Sequence, residues 1–99
     1  MTSPTDDDWR NAETAALFSA ILSLDTLDEV AAFFRDLCTR RELTDISQRW
    51  AVVQLLDQGL PYRDIAQRTG ASTATITRIN QWLRHGAGGY RLALDRVPG

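Results

Sequence analysis

The stretch from Pro61 to Arg84 constrains the fold of this chain more than any other. Its sequence, PYRDIAQRTGASTATITRINQWLR, predicts two short helices that are joined by a tight turn at Gly70. Glycine adopts positive φ at little cost, which suits a residue at which the chain must turn. Ala66 lies four residues earlier and is small, so the second helix can pass close to the first. This pattern is typical of a helix-turn-helix.

The second helix of this motif has one apolar side and several polar ones. Ile76 and Ile79 recur at helical spacing and are expected to face inward. The other sides carry short residues that can form hydrogen bonds, together with one arginine: Ser72, Thr73, Thr75, Thr77 and Arg78. Such a surface suits the major groove of DNA, where base edges offer donors, acceptors and the thymine methyl. The alternative is a helical hairpin that packs against another helix and contacts no nucleic acid.

The charge of the chain is unevenly distributed along its length. The net charge is −2, but residues 1–30 carry seven acidic residues and only one arginine. Residues 62–99 carry six arginines and two aspartates, and they include the predicted helix-turn-helix. Because contacts to phosphate are local, the positive end of the chain is the part that we expect to meet nucleic acid.

Several classes of protein are disfavoured by composition. No apolar run approaches the roughly 18 residues that a membrane span needs, and the start MTSPTDDDW lacks the features of a signal peptide. Cys38 is the only cysteine and His85 the only histidine, so neither a metal site nor a catalytic pair is expected. We therefore expect a cytoplasmic protein that is not an enzyme and needs no cofactor.

Helical periodicity extends over nearly the whole chain and predicts an all-α fold. Residues 1–8 are polar and are expected to form a disordered lead-in to a single domain over residues 9–99. Capping boxes are predicted at Thr26 with Glu29 and at Thr39 with Glu42. Six helices are predicted. The first, third, fifth and sixth span residues 9–23, 39 to about 59, 72–85 and 90–97, and the second and fourth begin at residues 26 and 61.

The first three predicted helices have wide apolar surfaces. In the third helix, Val52, Val53, Leu55 and Leu56 together cover more than half a turn. A helix that is apolar on most sides is buried on most sides. In a chain of 99 residues, a second copy is the simplest way to achieve this burial. We therefore expect an obligate homodimer.

Several strings in the sequence resemble the Trp-repressor superfamily, and in particular its YerC/YecD branch. They are FFRDLCTRREL, the arginine in SQRW, GASTATITR and YRLALDRV, and the resemblance extends from about Ala15 to Val97. The family implies a six-helix, intertwined homodimer that binds operator DNA. Its first three helices would form the dimer core, and the fourth and fifth would form the DNA-reading head.

The resemblance also implies roles for individual residues. Arg63 matches an arginine that reaches DNA, and Arg68 lies about one turn further along the same helix. These two arginines and the helix start at Ser72 are expected to contact phosphates. Base edges or bridging water would be met by Thr73, Thr75, Thr77 and Arg78.

The resemblance implies a ligand site as well. Arg49 and Arg78 match the two arginines that hold the corepressor's indole in Trp repressors, and Thr39 matches a threonine near the ligand's charged end. However, Ile79 and Trp82 stand where those proteins have a glycine and a serine. These larger residues argue against tryptophan as a corepressor and would instead complete the core, although an unknown effector remains open. Arg49 is otherwise expected to form an ion pair.

For Arg49, the expected partners are Asp45, Asp57 or a carboxylate of a second chain.

Taken together, these patterns predict a homodimeric, sequence-specific transcriptional regulator, and more specifically a repressor that acts on a palindromic operator. A protein-interaction module that uses the same helical head, and a small-molecule sensor, are the alternatives.

Overall fold

A computed structural model of the chain describes residues 9–98, and this part contains α-helices and no β-strand. The all-α class that the periodicity predicts is therefore confirmed. The lead-in predicted at residues 1–8 lies outside the described residues. The helices are α1 (Ala12–Leu22), α2 (Leu27–Leu37), α3 (Arg40–Asp57), α4 (Tyr62–Thr69), α5 (Thr73–His85) and α6 (Gly89–Arg96).

The first helix begins three residues later than predicted, because a capping box forms around Asn11. The Asn11 side chain accepts a hydrogen bond of 3.0 Å from the Thr14 backbone N–H. In return, the Thr14 hydroxyl accepts one of 2.9 Å from the Asn11 N–H. These bonds satisfy backbone donors that the first turn would otherwise leave unpaired, so α1 begins at Ala12 and not at Trp9.

The capping box predicted at Thr26 forms only in part. The Thr26 hydroxyl accepts a hydrogen bond of 3.1 Å from the Glu29 N–H, as predicted. The Glu29 carboxylate, however, accepts from the Asp25 N–H at 2.8 Å and not from that of Thr26. The reciprocal bond is thus shifted by one residue, while the start of α2 at Leu27 is preserved.

Two later helix ends also differ slightly from the prediction. Pro61 is the N-cap of α4 and not part of its first turn, because its ψ of 149° is extended. Helix α6 begins at Gly89 and ends at Arg96, one residue earlier at each end than predicted. Gly88 precedes it with a φ of +90°, a conformation that glycine adopts readily.

The chain divides into two compact units, residues 1–40 and residues 41–99. In the described part of the first unit, which contains α1 and α2, no residue is buried. Its large apolar side chains are instead widely accessible, and Leu22 and Leu27 are 87 % and 84 % exposed. A soluble helix pair rarely leaves so many apolar groups in water without a partner.

The second unit contains the hydrophobic core of the described residues. Its buried members come from α3, α4, α5 and the turn before α5, and they are Val52, Val53, Ile65, Ala71, Ile76 and Ile79. Tyr90 and Leu94 of α6 pack against this cluster. The core therefore fixes α4 and α5 against α3, which is the arrangement that positions the candidate site.

Candidate nucleic-acid interface

The turn between α4 and α5 is built around Gly70, as the sequence predicts. Gly70 has a φ of +77°, in the left-handed region, and its N–H donates to the Ala66 carbonyl at 2.8 Å. This bond ends α4 and reverses the direction of the chain. Ile76 and Ile79 of α5 are buried, as their spacing predicts, and Ile65 of α4 is buried with them.

Side chains from outside the motif hold this turn in place. The Gln48 amide of α3 donates a hydrogen bond of 3.0 Å to the Thr69 carbonyl. The Thr69 hydroxyl donates to the Ile65 carbonyl at 2.7 Å and accepts from the Ala71 N–H at 3.2 Å. No local sequence pattern indicates the contribution of Gln48, because it lies 21 residues before its partner.

The hydroxyl groups at the start of α5 are arranged in a cap. The Ser72 hydroxyl accepts a hydrogen bond of 3.1 Å from the Thr75 N–H and thereby caps the helix. It also lies 3.0 Å from the Thr75 hydroxyl. Ser72 is therefore the N-cap, as predicted, and the Thr75 hydroxyl is turned toward it.

The other two threonines of α5 differ in how their hydroxyls are used. The Thr77 hydroxyl donates to the Thr73 carbonyl at 2.9 Å, which leaves its lone pairs available. The Thr73 hydroxyl forms no hydrogen bond with any described residue, and its side chain is exposed in the first turn. Thr73 thus presents both a donor and an acceptor at the end of the helix that is expected to approach DNA.

The arginines that the sequence assigns to DNA are exposed on α4 and α5. Arg63 and Arg68 lie on α4, and Arg78 lies on α5. Within the part of the chain that the structure describes, none of the three forms an ion pair. Their charges are therefore available to an external anion such as a phosphate.

An open cavity of about 550 Å³ lies between α3, α5 and α6, within the second unit. Its lining residues are Asp45, Gln48, Arg49, Thr75, Arg78, Ile79, Trp82 and Tyr90. The structure thus brings together Arg49 and Arg78, the two arginines that the family resemblance pairs. Thr39, the third ligand residue that the resemblance implies, belongs to the first unit.

The predicted pairing of Arg49 with Asp45 or Asp57 is wrong for the described residues. Asp57 accepts a hydrogen bond of 2.6 Å from Arg91, and Asp45 lies 3.8 Å from Arg41. Both carboxylates therefore have other arginines as partners. Arg49 lies at the cavity with no described carboxylate within ion-pair distance. Asp57 is taken by an arginine of α6, and Asp45 by an arginine one turn earlier in α3.

The two residues expected to complete the core behave differently from each other. Ile79 is 4 % exposed and belongs to the core, as predicted. Trp82 is 63 % exposed, so the prediction that it completes the core is wrong. It lies one turn beyond Arg78, where a helix that packs on one side turns toward solvent, and its ring forms part of the cavity wall.

Two polar pairs near the site escaped the sequence analysis. Asn80 and Arg84 are joined along α5 by a hydrogen bond of 3.2 Å, and their spacing of four residues could have indicated it. Arg91 of α6 binds Asp57 of α3 across 34 residues of chain, which no spacing rule indicates. The hydrogen bond with Asp57 raises the pKa of Arg91 above its ordinary value.

Among residues 9–98, no helix has the length and apolar character to cross a membrane. The same residues contain no group of three or more histidine, cysteine or acidic side chains that could hold a metal ion.

Comparison with known proteins gives a consistent result. A family profile described as Trp repressor protein matches residues 12–98. The uncharacterized protein YerC of Bacillus subtilis is 46 % identical over 91 residues, which are 92 % of this chain and 88 % of that protein.

Solved structures agree with this match. A TrpR-like protein from Eubacterium eligens superposes with a TM-score of 0.86 at 44 % identity, covering 91 % of this chain and 93 % of that one. A candidate Trp repressor from Staphylococcus aureus superposes with a TM-score of 0.87 at 42 % identity, covering 95 % and 94 %.

Proposed function

Because the chain belongs to the Trp repressor family, we propose that it is a homodimeric transcriptional regulator that binds operator DNA through α4 and α5. The observation that carries this proposal is the two-sided character of α5. Ile76 and Ile79 anchor one side in the core, while Thr73, Thr77 and Arg78 stay exposed on the others. A helix anchored in this way can enter a groove without unfolding the domain.

The proposed contacts divide into two kinds. Arg63, Arg68 and the N–H groups that follow Ser72 contact phosphates, because these are exposed positive groups at and beside a helix N-terminus. Base edges are met, directly or through water, by four residues of α5. Thr73 and Thr77 are exposed, and Thr75 and Arg78 lie at the edge of the cavity.

The apolar surface of the first unit supports the proposed dimer. Phe18, Leu22, Leu27 and Leu37 are all about half exposed or more in a single chain. A second copy that covers them would give a two-fold symmetric protein. Its two α5 helices would enter successive major grooves about 34–36 Å apart, so the operator would be a near-palindrome. We further propose that the protein is a cytoplasmic repressor and not an enzyme.

The test is binding to DNA fragments selected from a genomic pool, compared with a scrambled duplex at the same salt concentration. The wild type should prefer the selected fragment by at least about a thousandfold. Arg63→Ala should weaken binding to both duplexes and flatten the dependence of log K on log salt by about one unit. Binding to a protein partner in place of any duplex would instead support an interaction module.

The cavity between α3, α5 and α6 supports a second function, which is sensing of a small anionic molecule. Arg49 and Arg78 face it without a described carboxylate partner, and Asp45 is the only acidic residue in its wall. A ligand with a carboxylate or phosphate would find complementary charge there. Thr75 both lines the cavity and contacts the α5 cap, so such a ligand would alter the DNA-reading helix.

Tryptophan is not the proposed ligand, because the cavity wall carries Ile79 and Trp82 where the family has a glycine and a serine. Free tryptophan should therefore leave the melting temperature unchanged. A corepressor present at ~100 times its dissociation constant would add about 2.7 kcal/mol to the free energy of unfolding. A saturable rise in melting temperature with tryptophan would show that these two side chains leave room for an indole.

A further inference from the structure

The hydrogen bond between Asn80 and Arg84 involves only one part of the arginine head group. The Asn80 amide oxygen accepts from Nε–H of Arg84 at 3.2 Å. The two terminal nitrogens of Arg84 form no hydrogen bond or ion pair with any residue that the structure describes. Asn80 therefore holds the guanidinium of Arg84 at Nε, and the two terminal nitrogens of that guanidinium are free to bind another group.

Arg84 lies on the same stripe of α5 as two of the residues proposed to meet DNA. It follows Thr73 by eleven residues, which is about three helical turns, and Thr77 lies between them. At 1.5 Å per residue, Arg84 is about 16 Å from the start of the helix. The major groove is only about 12 Å wide. If α5 crosses the groove with its first turn at the bases, Arg84 is level with the sugar-phosphate backbone.

We propose that Arg84 binds a DNA phosphate at the far edge of the groove, and that Asn80 is the positioning residue that aims it. This inference rests on the DNA-binding function proposed above. A guanidinium whose Nε is already bonded presents its two terminal nitrogens in parallel, which matches two oxygens of one phosphate. Asn80 also restricts a long side chain that would otherwise lose rotational freedom on binding.

The alternative is a solvent-exposed pair that stabilises α5 slightly and contacts nothing else. The two possibilities differ in what they predict for binding, because only a phosphate contact affects the salt dependence. They also differ in whether the effect of Asn80 requires Arg84.

The experiment measures binding to the selected operator and to a scrambled duplex over a range of salt concentrations. The variants are Arg84→Ala, Asn80→Ala and the double variant. Arg10→Ala is the matched control, since Arg10 lies over the Trp9 ring outside the helix-turn-helix. Melting curves show whether each variant is folded, and we expect similar melting temperatures because Arg84 is exposed and alanine favours helices.

Arg84→Ala should weaken binding to both duplexes by about tenfold and reduce the salt slope by about one unit. Asn80→Ala should weaken binding by about threefold. It should leave the salt slope unchanged, because the charge of Arg84 remains. In the Arg84→Ala background, Asn80→Ala should have no further effect. The control should bind like the wild type.

Three results would overturn the proposal. If the wild type binds DNA but Arg84→Ala keeps its affinity and salt slope, Arg84 contacts no phosphate and only this inference fails. If Asn80→Ala lowers the affinity for DNA by the same factor with and without Arg84, Asn80 does not act through Arg84. If the wild type binds no duplex at low salt, the proposed function fails, and this inference fails with it.

Discussion

At the scale of single residues, hydroxyl groups that look equivalent in the sequence have different roles in the first turn of α5. The Ser72 hydroxyl accepts from the Thr75 N–H and lies beside the Thr75 hydroxyl. The Thr73 hydroxyl has no described partner and faces outward. The Ser72 hydroxyl therefore maintains the helix, and the Thr73 hydroxyl is available to DNA. This division separates effects on stability from effects on recognition.

Ser72→Ala should lower the free energy of unfolding by about 1 kcal/mol, because it removes the N-cap of α5. Thr73→Ala is the matched control and should change it by less than about 0.5 kcal/mol, because no described hydrogen bond is lost. Urea denaturation at one protein concentration measures both. Equal losses would show that the Thr73 hydroxyl also supports the fold.

At the scale of elements, the helix-turn-helix depends on a turn that only a few residues can form. Gly70 adopts a φ of +77°, which L-residues with a Cβ rarely occupy. A Cβ placed there would have the Gln48 amide nitrogen 3.8 Å away as its nearest neighbour, so there is room for a methyl group. The requirement for glycine is therefore one of backbone conformation and not of space.

Gly70→Ala should lower the free energy of unfolding by about 1–2 kcal/mol, the cost of a left-handed residue with a Cβ. Gly89→Ala provides the comparison, since Gly89 is helical with ordinary φ, and an added Cβ there would meet nothing within 4 Å. It should be neutral or stabilise by up to about 1 kcal/mol. Thermal or chemical unfolding of both variants tests this, and a neutral Gly70→Ala would contradict it.

At the scale of the whole molecule, burial is distributed very unevenly. The buried residues of the described chain lie between Val52 and Ile79, whereas α1 and α2 contain none. Full burial of one leucine contributes about 1.5–3 kcal/mol. Leaving Leu22 and Leu27 in water therefore forgoes a large part of the stability of a small protein. A second copy of the chain is the partner that we propose for this surface.

Leu27→Asp distinguishes a dimer from a single folded chain. Leu27 is 84 % exposed and begins α2, where an acidic residue is favourable beside the helix dipole. In a monomer this change should be harmless, but in the proposed dimer it should lower stability by at least about 2 kcal/mol. Ala12→Asp, at the equivalent position of α1, is the control.

Sedimentation and the dependence of the melting temperature on protein concentration are the measurements. The wild type should sediment as a dimer at micromolar concentration and melt at a higher temperature as concentration rises. A stable, folded wild-type monomer, or a Leu27→Asp variant as stable as Ala12→Asp, would contradict the dimer.

Features that depend on residues at most four positions apart could be predicted from the sequence. The N-cap at Ser72, the turn at Gly70 and the inward faces of Ile76 and Ile79 all follow from local hydrogen bonding and helical period. The helix start at Asn11 was missed, although its signal is local too.

Features in which distant segments compete for the same group could not be predicted, because they depend on how the helices pack. Asp57 binds Arg91 and leaves Arg49 at the cavity, and the exposure of Trp82 depends on how α5 and α6 pack. Gln48 likewise reaches the turn from another helix. A charged or polar group can form interactions of similar strength with several partners along a chain. Which partner they meet is fixed by packing of the apolar core, which the period of one helix does not specify.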